Sequence, residues 1–419
     1  MRSQGSNSKL VRVQNRSLVL RIIQKRGSVS RKEIAGLTGL TQAAITKITA
    51  DLIDRGLVVE GGNEIKAQGL GRRPVGLSIN KERYKIVSLY LGRTTIQAAV
   101  CDLSGYILFK HEEFGDIYAD TGKDFETEII DCIDRLLTSH GIGSDSLLGI
   151  AIAAPGPINA KKGILLGVPG NSLKVSEAPF DWRNVDIATI LGDRFGAPVF
   201  ADNEANVAAL GESWFGAGMN LNNFVLYSVG IGIGSGVIID GMMYRGEDDV
   251  VSEIGHITID YKGPQCVCGN FGCLELYAGF KRLVDLYRGD NAAGPTGVFT
   301  SKDHAVIARD VEFIFNRAAA GEEAAMNAVA EIGRFLGIGA VSLANIFSPE
   351  SIILSGNDIG GSDLGLLVPI VQESVRKGAF SVIANKVKVV QSSLGKDARI
   401  YGCVALVLQD FFDQPDGDA

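Results

Sequence analysis

The chain of 419 residues is too long for one ordinary domain, and with 46% hydrophobic and 21% charged residues it can bury more than one core. No run of eighteen apolar residues appears, and the start, MRSQGSNSKLVRVQNRS, lacks the apolar stretch of a secretory signal, so neither a membrane nor an exported class is expected and a cytoplasmic one is. The net charge of −7 hides an asymmetry: residues 1–80 hold 14 Lys and Arg against 5 Asp and Glu, the remainder 27 against 43. A basic module joined to an acidic body points to a polyanion partner for the module, with a merely solvated basic face as the alternative. Six cysteines in this length give no disulfide framework and fit a reducing compartment.

Within the module, residues 1–8 are small and polar and read as a disordered arm. From Ser17, SLVLRIIQKRG predicts a first helix ended by Gly27. Ser30 and Glu33 form a capping box that opens a second helix carrying Ile34 and Leu37 and stopping at Thr38-Gly39. Thr41 caps a third helix, in which Ile45, Ile48 and Leu52 recur at helical spacing and face inward. Its opposite face is small and polar, with Ala43, Lys47 and Ala50, and with Gln42 and Thr46 alongside. This is the helix-turn-helix arrangement, whose second helix enters a major groove. Small side chains let such a helix approach the bases: Ala43 suits a thymine methyl, while Thr41, Gln42, Thr46 and Lys47 reach base edges or phosphates. Past Gly56, LVVE starts a two-stranded wing that returns at about residues 75–79, and GLGRRP puts Arg72 and Arg73 in a flat basic strip suited to a narrow minor groove. A plain helical hairpin is the competing reading. The pattern, the charge and the strip agree on double-stranded DNA.

From Tyr84 the character changes. KIVSLYLG and TIQAAVCDL predict two strands, a turn at Ser104-Gly105 follows, and YILFK predicts a third. A helix is expected over about 125–139, with Phe125, Ile129, Ile133 and Leu136 on one face. Then come strands at LGIAIAAPG and APVFAD, a helix from Glu204 to Phe215, and a strand at NFVLYSVG, with glycine-rich links such as Gly230 to Gly236 between elements. The alternation predicts an α/β body with sheets covered by helices.

Residues 253–275 read EIGHITIDYKGPQCVCGNFGCLE. Cys266, Cys268, Cys273 and His256 make a complete tetrahedral set for Zn²⁺, and Gly263, Gly269 and Gly272 let the backbone aim them at one point. Four protein ligands leave no open position, so the ion is expected to be structural. Ordinary core cysteines are the alternative. The same stretch carries Glu253 and Glu275, and clustered carboxylates suit the hydroxyls of a sugar.

Glu-Ile-Gly-His followed by Cys-x-Cys-Gly-Asn-x-Gly-Cys-Leu-Glu resembles the signature of the ROK family of repressors, open reading frames and sugar kinases, and residues 84 to about 408 follow its pattern. Residues 9–79 resemble the winged module at the front of that family's repressors. The resemblance implies an actin-like, ribonuclease H-like body of two lobes around a cleft: a DNA-binding domain at 1–80 with its arm and wing, a small lobe at 81–200 on which a C-terminal helix at 396–412 packs, and a large lobe at 201–395 with the zinc loop. It implies sugar-hydroxyl contacts at Asn203, Glu253, His256 and Glu275, with Asn171 of VPGN as a further contact. It also sets a test for kinase chemistry. Where the family's kinases carry Asp-x-Gly-Gly-Thr for magnesium and phosphate, this chain has Tyr90-Leu91-Gly92-Arg93-Thr94, and a phenol does not replace a carboxylate at Mg²⁺. The threonine of the second phosphate loop is Ile231, and a late glycine pair becomes Ser355-Gly356. The general-base aspartate is Glu204, one methylene longer, and about 1 Å of misplacement costs on the order of a hundredfold in rate. Glu204 is therefore expected to bind a hydroxyl without turning over.

The reading is a sugar-responsive transcriptional regulator, a repressor, without kinase activity, acting as a dimer or a tetramer on a DNA operator. Two other classes stay open: an ATP-dependent sugar kinase with a DNA-binding appendage, and a repressor controlled by a partner protein.

Overall fold

The computed structural model describes residues 8–61, 75–92, 95–114, 125–166, 184–247, 249–289, 301–356 and 364–413. The N-terminal module comprises α1 (Ser8–Arg26), β1 (Val29–Ser30), α2 (Arg31–Thr38), α3 (Gln42–Asp54), β2 (Val58–Glu60) and β3 (Gly76–Ile79), its strands forming a small antiparallel sheet in the order β1-β3-β2. The capping box is formed: the Glu33 amide donates to Ser30 Oγ at 3.2 Å and the Ser30 amide to Glu33 Oε2 at 2.9 Å. Gly39 ends α2 in the left-handed region at φ 70°, and Thr41 Oγ1 caps α3 by accepting from the Ala44 amide. One expectation is corrected. The first helix begins at Ser8, well before Ser17, because polar residues there are fixed by tertiary partners, Arg16 pairing with Asp51 of α3 at 3.3 Å. Along α2, Ile34 is buried and Leu37 is 53% exposed.

The body opens with β4 (Lys85–Leu91), β5 (Thr95–Asp102), β6 (Ile107–Phe114), α4 (Phe125–Ser139) and β7 (Leu147–Ala154). A minor sheet of β8 (Ile158–Asn159), β9 (Ile164–Leu165) and β10 (Val185–Asp186) precedes α5 (Ile187–Phe195), β11 (Val199–Asn203) and α6 (Glu204–Phe215). The second half runs β12 (Phe224–Val229), β13 (Ile233–Ile239), β14 (Met242–Met243), α7 (Glu275–Ala278), α8 (Phe280–Tyr287), α9 (Ser301–Ala319) and α10 (Glu323–Phe347). It closes with β15 (Ser351–Gly356), α11 (Val368–Gly378), α12 (Ser381–Ala384), β16 (Lys388–Gln391) and α13 (Ala398–Asp413). The residues from Gly230 to Gly236 are not all a link. From Ile233 onward they are β13, and Gly236 is needed there because a Cβ would crowd Ala205 and Ala209 of α6.

Two five-stranded sheets repeat one topology. The first has the order β11-β7-β4-β5-β6 and the second β14-β13-β12-β15-β16; in each a three-stranded antiparallel meander is extended by two parallel strands beside its first strand. This duplication is the two-lobed actin-like architecture. Each first strand is buried on both faces: along β4, Val87, Leu89 and Leu91 enter the core under α4 and α5, whereas Ile86 and Tyr90 enter the core under α13. The long apolar α10 is the one described helix with the length and composition to cross a bilayer, and its buried face packs on α8, α9 and α11.

Helices α6 and α13 pack against one another with their backbones in contact. A Cβ on Gly211 would overlap the carbonyl of Ala398, and one on Gly402 would overlap the carbonyl of Val207. The N-terminal module rests on this pair: α1 packs on α13 and α6, Lys25 Nζ donates to the Met219 carbonyl at 2.8 Å, and the Arg21 guanidinium lies 4.5 Å from the centre of the Trp214 ring. One apolar cluster therefore runs from Ile34 and Ile45 through Trp214 and Val404 to Tyr90. Gly402→Ala is expected to cost about 3 kcal/mol, at the upper end of overpacking penalties, because the atom it meets is backbone and cannot step aside. A urea titration followed by tryptophan fluorescence, with Trp214 beside the crossing, should show the lowered midpoint.

Candidate effector cleft, metal loop and DNA-binding face

A cleft of about 330 Å³ opens where β7, β11 and β12 end, the position at which α/β sheets bind ligands. Its walls come from both sheets and from the cysteine loop. Asn203 ends β11 and caps α6, with Oδ1 accepting from the Ala205 amide at 2.9 Å and Nδ2 donating to the Gly156 carbonyl at 3.1 Å. Glu204, the first residue of α6, places Oε2 3.1 Å from Arg399 Nη1. Glu275 opens α7 and accepts from the Ile233 amide at 3.0 Å, which ties the cysteine loop to the turn before β13. Glu253 keeps surface open to the cleft, yet the enclosing walls push its carboxyl above the ordinary value, with His256 opposing this and Glu275 adding to it. Ser228, Ser235 and Ser252 add hydroxyls, and Pro155, Val250, Val251 and Val267 supply apolar surface. No lysine or arginine lines the cleft among the described residues.

Asn203, Glu204, Glu253, His256 and Glu275 are thus brought to one cavity; Asn171 lies outside the described residues. Sequence reasoning missed the three serines, which sit on a strand, a strand end and a loop without motif. It also missed Asp202, whose carboxylate is 2.6 Å from Arg245 Nη1 and accepts from the Asn203 amide, steadying the segment that carries Asn203.

The cysteine loop folds back on itself through bridges pairing Thr258 with Cys273 and Gln265 with Phe271. Gly269 and Gly272 adopt φ 93° and 62°, and a Cβ on Gly272 would overlap the Asp260 carbonyl. The result gathers one ligand atom from each of His256, Cys266, Cys268 and Cys273, all within 4.8 Å of one another. Cys266 Sγ is 3.7 Å from His256 Nδ1, and Cys268 Sγ is 3.6 Å from Cys273 Sγ. Bonds of about 2.3 Å to sulfur and about 2.0 Å to nitrogen at tetrahedral angles would put ligand atoms roughly 3.5–3.8 Å apart, so the set fits a metal ion of zinc's size. Burial pushes the thiols of Cys266 and Cys273 above the ordinary cysteine value. A divalent cation reverses that preference by binding thiolate. His256 belongs to both the cluster and the cleft wall.

On the DNA-binding module, Thr41, Gln42, Ala43, Thr46, Lys47 and Ala50 are all exposed along α3, while Ile45, Thr49 and Leu52 are buried beneath them. Thr46 Oγ1 donates to its own helix at Gln42 O. Arg72 and Arg73 lie outside the described residues.

The ROK family model matches residues 86–410, and a winged helix-turn-helix DNA-binding model matches residues 14–59. The chain belongs to the ROK family. Among curated proteins it is 33% identical to a putative xylose repressor of Caldicellulosiruptor sp. (strain Rt8B.4) over 98% of this chain and 99% of that protein. Among solved structures it resembles a ROK family transcriptional regulator, a homologue of the E. coli MLC protein, with a TM-score of 0.75, 27% identity, and coverage of 96% of this chain and 97% of that one. A ROK glucokinase from Streptomyces griseus, solved with glucose and AMPPNP, matches with a TM-score of 0.61 and 27% identity, but covers 77% of this chain against 98% of its own. The regulators match end to end, whereas the glucokinase leaves roughly the length of the DNA-binding module unmatched. This ROK protein accordingly has the domain composition of the family's repressors.

The positions where the ROK resemblance set a kinase test can now be placed. Tyr90 is 5% exposed, with the Arg399 guanidinium 3.6 Å from its ring centre. Ile231 is buried in the apolar core of the second lobe, and Ser355 is buried at the end of β15. Arg93 and Thr94 lie outside the described residues. Gly272→Ala is expected to prevent the loop from closing, since both the sign of φ and the space forbid a side chain. Metal content of the purified variant, by elemental analysis, should fall from about one ion per chain to well below half, as one tetrahedral set predicts.

Proposed function

We propose that this ROK protein is a transcriptional repressor whose operator affinity is set by a neutral sugar bound in the cleft. The observation that carries the reading is the cleft's lining: three carboxylates, an amide, an imidazole and three hydroxyls, with no cation among the described lining residues. Such a set is rich in acceptors for sugar hydroxyls and repels a phosphate. A pentose or hexose suits about 330 Å³, near the lower end of small-molecule sites. Xylose, named for the Caldicellulosiruptor relative, is the first sugar to try.

The same reading treats the body as having no kinase activity. Tyr90 offers no carboxylate for magnesium, Ile231 offers no hydroxyl for phosphate, and Glu204, one methylene longer than the family's aspartate, is tethered through Oε2 to Arg399. The metal is zinc and structural, because four protein ligands complete its tetrahedron. We place the DNA-binding module at residues 1–80, the small lobe at 81–200 with 396–412, and the large lobe at 201–395. A homodimer with two α3 helices facing successive major grooves follows from the half-site geometry of such modules, and the cytoplasm is where such a repressor works.

Fluorescence anisotropy on the DNA upstream of the gene, titrated with free sugars in the absence of ATP, tests the reading. One sugar should weaken operator binding by at least about tenfold, a coupling of about 1.4 kcal/mol. Lys47→Ala should weaken binding to all DNA sequences alike and flatten the salt dependence by about one unit of log–log slope. No response to any neutral sugar, or ADP formation in a separate assay that supplies ATP and magnesium with the same sugars, would move the protein to a different class.

Separately, the protein is expected to purify with about one zinc per chain. Stripping it with a strong chelator should lower Tm, since binding free energy at such a site is also folding free energy. A calcium or magnesium ion, or none, would overturn the zinc assignment.

A further inference from the structure

No motif marks Arg399, and it does not line the cleft, yet it is the most fully buried charged side chain close to it. It is the second residue of α13, with a side chain 2% exposed. A guanidinium stays charged at any accessible pH, so it is buried only where its surroundings hold it. Here Nη1 lies 3.1 Å from Glu204 Oε2, and the guanidinium lies 3.6 Å from the centre of the Tyr90 ring, close enough for a strong cation–π contact. The backbone beneath is equally fixed, since α13 meets α6 through Gly211 and Gly402 just after Arg399 leaves the helix start. Glu204 differs from its partner. Its side chain is 24% exposed and faces the cleft. Among the described residues no protein donor is hydrogen-bonded to its other oxygen, Oε1.

We propose that Arg399 is a positioning residue for effector recognition: by holding Oε2, it turns Oε1 toward the cleft as a single fixed acceptor that reads one sugar hydroxyl. The inference rests on the reading of the cleft as a sugar site. An untethered glutamate would rotate about its side-chain torsions and accept from whichever hydroxyl came within reach, and it would also lean on the charges of Glu253 and Glu275 across the cavity. The tethered one is directional, which is what discrimination between epimers requires. Tyr90 takes part by stacking. The ring supports the flat face of the guanidinium while Nη1 reaches Glu204, a contact that a compact ammonium would make less well.

The test is isothermal titration calorimetry on the full-length, metal-loaded chain, with D-xylose, D-glucose and the monodeoxy derivatives of whichever binds. For the wild type, removal of one particular hydroxyl should cost tenfold or more in affinity, and removal of the others less. Glu204→Gln and Arg399→Gln should each flatten the profile at that same hydroxyl, and the double variant should do no more than either single one. Arg399→Lys should recover part of the preference. Tm is measured for each variant, and the double variant, which leaves neither charge unpaired, stands in if Arg399→Gln does not fold. A profile unchanged by Arg399→Gln despite a lowered Tm would make the residue merely structural, as would penalties for Glu204→Gln and Arg399→Gln that multiply. Failure of the wild type to bind either sugar, together with no operator response to any neutral sugar in the anisotropy panel, would remove the sugar reading and this inference together.

Discussion

The backbone contact between α6 and α13 is the constraint on which the rest of the molecule depends. Two helices cross this closely only if neither carries a Cβ at the crossing, and Gly211 and Gly402 meet that condition from chain positions far apart. The crossing fixes three things at once. It holds the first turn of α6, with Asn203 and Glu204, at the mouth of the cleft. It delivers Arg399 to Glu204. At the other end of α6 it presents Trp214 to Arg21 of the DNA-binding module. A twelve-residue helix spans about 18 Å, so one rigid element reaches from the cleft to the winged helix-turn-helix module.

Rigidity matters because a ligand shifts an equilibrium only by its difference in affinity for two arrangements. A loose linker between cleft and module would let each relax alone. Here the apolar core of the DNA-binding module is continuous with the outer layer of the first lobe, from Val19 and Ile23 to Val404 and Leu408. Separating the module from the body would therefore expose buried apolar surface, at roughly 25 cal/mol per Å². The polar contacts at the seam, Lys25 with the Met219 carbonyl and Arg21 with Trp214, set the angle rather than the strength of the junction.

Local signals were legible in the sequence and distant ones were not. The capping box of Ser30 and Glu33 spans four residues, the helix from Glu204 to Phe215 is framed by an asparagine cap and a glycine, and the four presumptive metal ligands lie within eighteen residues. Each needs only neighbouring chain to be recognised. Arg399 is 195 residues from Glu204. Nothing in a helix start reading ARIYGC announces that its arginine will be buried against a carboxylate and a ring. The missed beginning of α1 has the same origin, since Arg16 reads as a solvated charge until Asp51 is brought to it. Among the cleft residues, those on the cysteine loop and at the start of α6 were legible from their motifs, whereas Ser228, Ser235 and Ser252 became site residues only when the two sheets were placed together.

The cysteine loop and the cleft share a wall, and this explains why a metal would be used there at all. Glu253 and Glu275 flank the loop, and their like charges resist being held side by side; desolvation has already raised the carboxyl of Glu253. A segment of this length, with only a single 3-10 turn at Ile254–His256 before α7, could not impose that proximity by packing, because its own apolar cluster is small, centred on Leu276, Tyr277 and the cysteines. A divalent ion on the four ligands would close the loop by bonds far stronger than side-chain contacts, and through His256 it would reach the cleft wall itself. The carboxylates would then be held at the cleft wall, where hydroxyls of a ligand rather than each other are the partners within reach.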